Sequence, residues 1–134
     1  MVFFDRKDDY HFIRWAREVK QRDQWTCQIC SRRGLELNSH HMNSWDVHPD
    51  DRYSIDNGVT LCRFHHEDFH EKYGRGRNTR SQFEEYEEVC NIIMKVASEH
   101  ESVERHTDYA IRMLDGYALA TQIVEDLDGY KLLE

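Results

Sequence analysis

The apolar positions of this chain change period along its length, and each period predicts an element. Phe12, Trp15, Ala16 and Val19 fall at i, i+3, i+4 and i+7, the stripe of a half-buried helix, so residues 5–22 are expected to be helical. Arg14, Arg17, Lys20 and Arg22 fall mostly off that stripe and read as a solvated face. Leu35-Glu36-Leu37-Asn38 alternates apolar and polar, as a short strand does, and would deliver His40 and His41 at its end. Residues 43–56 are polar and hold the single proline, so they read as a loop, with Trp45 and Tyr53 as aromatic anchors. Asn57-Gly58 is a turn signal, and residues 59–62 form a second short strand. Residues 63–72 read as a helix that puts His66 and His70 on one face and Phe69 toward the core.

After a basic link over residues 73–78, Phe83, Tyr86, Cys90, Ile93 and Val96 step by three and four. Thr79 followed by Gln82 is a capping-box start for that helix. A further helix is expected over residues 107–127, with Ile111, Leu114, Leu119, Ile123 and Leu127 as its apolar positions. The fold class expected is α+β: one domain over residues 1–88 and an acidic helical extension over residues 89–134.

Composition narrows the picture. Hydrophobic residues make up 39% and charged residues 33% of the chain, a small core for 134 residues, which a structural metal would help to stabilise. No apolar run reaches membrane-spanning length, and the N-terminal segment lacks the basic start and apolar stretch of a secretory leader. The expectation is a cytoplasmic protein, of a bacterial or phage-infected host cell, with no membrane partner. In a reducing compartment a CxxC pair reads as a metal knuckle before it reads as a disulfide. The net charge of −8 is unevenly spread. Residues 1–80 carry 14 basic against 13 acidic residues, a net of +1, and residues 81–134 carry 4 against 13, a net of −9. The anionic character belongs to the C-terminal part, so overall charge does not exclude a nucleic-acid partner for the rest.

The chemistry-bearing residues are concentrated. Six of the nine histidines lie between Ser39 and His70. Cys27-x2-Cys30 and Cys62-x2-His65 are two ligand pairs of matching spacing and can complete a tetrahedral zinc site. Cys90, on the apolar stripe of a helix, reads as a buried small hydrophobe. His40, His66 and His70 could converge on a second, divalent ion, and three imidazoles leave positions open, as a catalytic metal requires. His41 would then be free to act as a general base. Asn57 cannot titrate, and its amide can orient a histidine or brace the loop.

These segments, CQIC, HHM, DNGVTLC, HHEDFH and KYG, resemble the HNH nucleases, whose site is a ββα-metal motif. The likeness covers about residues 10–88, including Arg22-Asp23 and QFEEYEE, and is strongest to small zinc-stabilised HNH endonucleases of phage and prokaryotic genomes. It implies His41 as the general base, His40 and His66 as metal ligands, and Asn57 as the residue that holds the base and its loop. His70 matches the third metal-binding histidine of colicin-type nucleases. The four-cysteine zinc site of such proteins maps onto Cys27, Cys30, Cys62 and His65. Two positions depart from the pattern: His65 replaces a cysteine, and His40 stands where many relatives have aspartate. Imidazole in place of carboxylate tilts metal preference from Mg²⁺ toward Ni²⁺, Zn²⁺, Co²⁺ or Mn²⁺. The activity implied is DNA phosphodiester hydrolysis, leaving 5′-phosphate and 3′-hydroxyl ends.

Arg32, Arg33, Arg52, Arg63, Lys72, Arg75, Arg77 and Arg80 flank the motif and are the candidate phosphate contacts. Two rivals compete with the nuclease. One is a zinc-stabilised DNA-binding module without catalysis. The other is an interaction protein whose acidic C-terminal helices dock a protein partner or form a homodimer.

Overall fold

A computed structural model describes residues 6–34 and 36–99. A 3-10 turn, Arg6–Asp8, leads into helix α1, Tyr10–Arg22. The expected first helix is thus split. Asp9 leaves helical geometry to cap α1, accepting from the backbone N–H of His11 (2.9 Å) and Phe12 (3.4 Å). Strand β1, Leu37–His41, follows, and the 42–57 connection contains two 3-10 turns, Pro49–Asp51 and Ile55–Asn57. Strand β2, Gly58–Cys62, runs directly into helix α2, Arg63–Tyr73, and helix α3 spans Arg80–Glu99. Among the described residues the fold is α+β: three helices and one two-stranded antiparallel sheet. None of the described helices is long and apolar enough to cross a membrane. The chain divides into two units, Met1–Tyr86 and Glu87–Glu134, and both side-chain clusters treated below belong to the first. The helix expected over residues 107–127 lies outside the described residues.

β1 pairs with β2 from Leu37 opposite Cys62 to His41 opposite Gly58. The strand runs through the histidine pair instead of stopping before it, so His40 and His41 point to opposite faces of the ribbon. α1 covers one face and α2 the other. Ser39 Oγ donates to the Ala16 carbonyl of α1 at 2.6 Å, whereas His40, on the opposite face, packs edge-on to Phe69 of α2. Trp15, Val19, Leu61, Phe69, Phe83 and Tyr86 are all at most 2% exposed. Each such apolar side chain contributes about 1.5–3 kcal/mol by burial.

The turn expected at Asn57-Gly58 is the end of the 3-10 turn Ile55–Asn57, capped by Gly58, whose N–H donates to the Ile55 carbonyl. Gly58 has an extended φ of −102° and opens β2. Glycine is required there by packing, because a Cβ would lie 2.3 Å from Val19 Cγ2 and 2.8 Å from Trp15 Cζ2. Arg22 is not simply solvated. Its guanidinium donates to the carbonyls of Ile55 and Gly58, each at 2.7 Å, and Asp23 accepts from the Thr60 N–H at 2.9 Å. The end of α1 is thereby stitched to the start of β2. The capping box that opens α3 is present: the Thr79 N–H donates to Gln82 Oε1 at 3.1 Å, and the Gln82 N–H to Thr79 Oγ1 at 3.3 Å.

Candidate metal centres and the cleft between α1 and α2

Cys27 and Cys30 sit on a tight turn after α1. The Ser31 N–H donates to the Cys27 carbonyl at 2.8 Å, and the turn is completed by Ser31 in the left-handed region (φ 61°), with Gly34 (φ 71°) beyond it. Cys62 ends β2 and occupies the N-cap position of α2, which places His65 one turn into that helix. The four side chains converge, with all ligand atoms within 4.8 Å of one another. Cys30 Sγ and Cys62 Sγ are 3.9 Å apart; His65 Nδ1 lies 3.7 Å from Cys27 Sγ and 3.2 Å from Cys62 Sγ. Tetrahedral zinc, with Zn–S near 2.3 Å and Zn–N about 2.0–2.1 Å, puts two sulfurs about 3.8 Å apart and sulfur and nitrogen about 3.5 Å apart. A disulfide would need about 2.0 Å. The spacings suit a metal such as zinc held by Cys27, Cys30, Cys62 and His65. The charge balance agrees. Hydrogen bonds from Cys30 and Cys62 pull the Cys27 thiol strongly down, while the same crowding pushes Cys62 up. Burial disfavours a charged His65, but the adjacent Cys27 and Cys30 sulfurs outweigh it and raise the imidazole to about 9. Three clustered sulfurs call for a cation.

The second cluster is built from the other face of α2. His66 and His70 are one turn apart on it, and their Nε2 atoms approach to 3.2 Å. His40 arrives from β1, with ring centroids 5.4 Å from His66 and 5.2 Å from His70. Ligand atoms of all three lie within 4.8 Å of one another. Two imidazole nitrogens on one ion with bonds of about 2.1 Å sit about 3.0–3.4 Å apart. Tautomers follow from the partners. The Gly74 carbonyl, 2.9 Å from His70 Nδ1, can only accept, so His70 carries its proton there and presents the Nε2 lone pair inward. His40 Nε2 is buried with no hydrogen-bond partner, a costly arrangement for a polar atom unless something else binds it. Burial, then the neighbouring imidazoles, holds His40 well below the usual histidine range. Burial and His70 bring His66 to about 4. The three imidazoles could together hold a metal ion.

His41 faces the other way, toward α1. Its ring stacks on Trp15 at 3.7 Å between centroids and 11° between planes, with Phe12 and Trp45 farther around it. His41 Nε2 lies 2.8 Å from the Arg52 carbonyl, which fixes the proton on Nε2 and the lone pair on Nδ1. Burial is the main cause that lowers its pKa, so the ring is neutral near pH 7. Although the two histidines point apart, a cleft of about 520 Å³ is lined by His41 together with His40, His66 and His70.

Asn57 touches neither set of imidazoles. Its Oδ1 accepts from the Asn43 N–H at 2.8 Å, and its Nδ2 donates to the carbonyls of Asn43 (2.9 Å) and Asp51 (3.2 Å). It braces the loop that carries the Arg52 carbonyl and so positions His41 through the backbone.

The expected phosphate contacts fare unevenly. Among Arg32, Arg33, Arg63, Lys72, Arg75 and Arg77, only Arg75 lines the cleft. Lys72 is directed inward instead: it pairs with buried Asp68 at 2.6 Å and lies over the Tyr86 ring, because a buried carboxylate needs a partner. Arg33 bonds Thr26 and Gln24 near the knuckle, and Arg63 pairs with Glu67 and Glu36. The Arg52 guanidinium is turned onto Trp45, and that of Arg80 onto the Asp56 carbonyl. Arg6 and Lys20 line the cleft with Arg75. Arg6 precedes α1 by a turn that periodicity does not register, and Lys20 lies on the helix face expected to be solvated. The Arg52 carbonyl has no side-chain signature at all.

Compared with protein-family models, curated proteins and solved structures, the chain finds no match.

Proposed function

We propose that this chain is a metal-dependent endonuclease of the HNH type, a β1–β2–α2 ββα-metal core that hydrolyses DNA phosphodiester bonds. One observation carries the reading. His41, neutral and with its lone pair fixed on Nδ1, lines the same cleft as the His40, His66 and His70 lone pairs. Cys27, Cys30, Cys62 and His65 would hold the structural zinc. A divalent ion held by His40, His66 and His70 would supply Lewis-acid stabilisation of charge on the phosphate. All three ligands are imidazoles, which favours a transition metal over Mg²⁺.

The chain's own residues account for the other steps. Arg6, Lys20 and Arg75 draw the phosphate backbone into the cleft. His41 Nδ1 takes a proton as water attacks phosphorus, the bond to the 3′-oxygen breaks, and that oxygen takes a proton from solvent water while His41 later returns its own to solvent, leaving 5′-phosphate and 3′-hydroxyl ends. Plasmid cleavage by the wild type and His41→Ala, with each of Mg²⁺, Mn²⁺, Ni²⁺ and Zn²⁺ and with chelator, tests this. The reading expects cutting that needs both the ion and His41, and it fails if His41→Ala cuts normally or Mg²⁺ is clearly preferred.

A zinc-stabilised DNA-binding module needs only the cysteine-rich cluster. It would bind one ion per chain and give the buried His40 nitrogen no partner, whereas the nuclease binds a second, exchangeable ion.

A further inference from the structure

The stack of Trp15 on His41 has no counterpart in the steps above. Trp15 is 2% exposed and belongs to the core of α1. Its ring, however, lies 3.7 Å from the His41 ring at 11°, closer and flatter than its contact with Phe12 at 5.8 Å and 33°. Its indole N–H donates to the Ser54 carbonyl at 2.8 Å. Ser54 lies two residues from Arg52, whose carbonyl holds His41 Nε2, and three from Asn57, which holds the same loop at Asn43 and Asp51. Opposite His41 in the sheet, Gly58 lets β2 approach to where a Cβ would strike Trp15 and Val19. Trp15 therefore meets the imidazole on its face, while the Arg52 carbonyl meets it in its plane. These two contacts remove both freedoms of the ring, rotation about the Cβ–Cγ bond and tilt about Cα–Cβ.

The geometry points to Trp15 as a positioning residue for the general base, acting by ring stacking on the imidazole. This rests on the nuclease reading for its effect on rate, but not for the stack itself. Three arms test it on the full chain. In wild-type protein, the carbon-bound ring protons of His41, assigned by their loss in His41→Ala, should be shifted upfield by the indole ring current. Trp15→Phe keeps a flat ring and should retain most of kcat. Trp15→Leu fills much of the space without a ring and should lower kcat by about 10²-fold, the effect of displacing a reacting group by about an ångström, with KM and both metal counts unchanged.

Unshifted His41 protons, or full kcat in Trp15→Leu, overturn the proposal. So does an equal loss of kcat in Trp15→Phe and Trp15→Leu, since stacking would then not be the cause. If Trp15→Leu does not fold, the proton shifts and Trp15→Phe decide: retained kcat with shifted protons supports the role, and a 10²-fold loss in folded Trp15→Phe removes it. Failure of the nuclease reading is separately visible, as cleavage that survives in His41→Ala.

Discussion

The two clusters share helix α2 and differ in almost everything else. Cys27, Cys30, Cys62 and His65 sit where three backbone segments meet, two of the ligands a tight turn apart and the others at the β2–α2 junction. His40, His66 and His70 lie between elements already packed by Phe69 and Phe83, and they line an open cleft. A closed, sulfur-rich set stabilises the fold; an open, all-imidazole set leaves coordination positions for something else. Helix α2 separates the two by presenting His65 to one side and His66 and His70 to the other.

The strongest way to break this contrast is Cys27→Ser. Structural zinc contributes on the order of 10 kcal/mol or more in small folds, comparable to a whole domain's stability of about 5–15 kcal/mol. The variant is expected to lose its cooperative melting transition and its zinc, measured by circular dichroism and metal analysis. A folded, zinc-containing variant would mean that this cluster is not the clamp.

His40→Leu should do the reverse. It removes a buried unsatisfied nitrogen, so the protein with an empty second site is expected to gain about 1–3 kcal/mol, seen as a higher midpoint in urea, while losing the second ion and all cleavage. Unchanged binding of two ions would separate His40 from the site.

His41→Ala is expected to keep the fold and both ions but lose about 10²–10⁴-fold in cleavage rate, the usual contribution of a general base. Metal counts beside plasmid nicking check it. The smallest expected effect distinguishes cleft from surface. Arg75→Ala should weaken DNA binding and reduce the salt slope of log K by about one, whereas Arg32→Ala should leave both within error. Equal effects would move the DNA path away from the cleft.

Much of this was legible from residue order, because the decisive signals are local. Cys27-x2-Cys30 and Cys62-x2-His65 announce a four-ligand set by spacing, and His66 and His70 must share a face because four residues span one helical turn. The Thr79–Gln82 cap needed only a four-residue window. The Asn57-Gly58 turn signal is local too, but the glycine also serves close approach to Val19 and Trp15, which come from a helix far away in sequence.

By itself, then, the sequence determined which side chains are available, their helical or strand period, and the ligand pairs that adjacent spacing brings together. Only the tertiary structure decided that β1 extends through His40 and His41 and turns them to opposite faces, that Lys72 pairs with Asp68, and that Arg6 and Lys20 reach the cleft. The physical reason is that direction and burial are set by cross-strand register and by packing between distant segments. No local window of residues contains those forces.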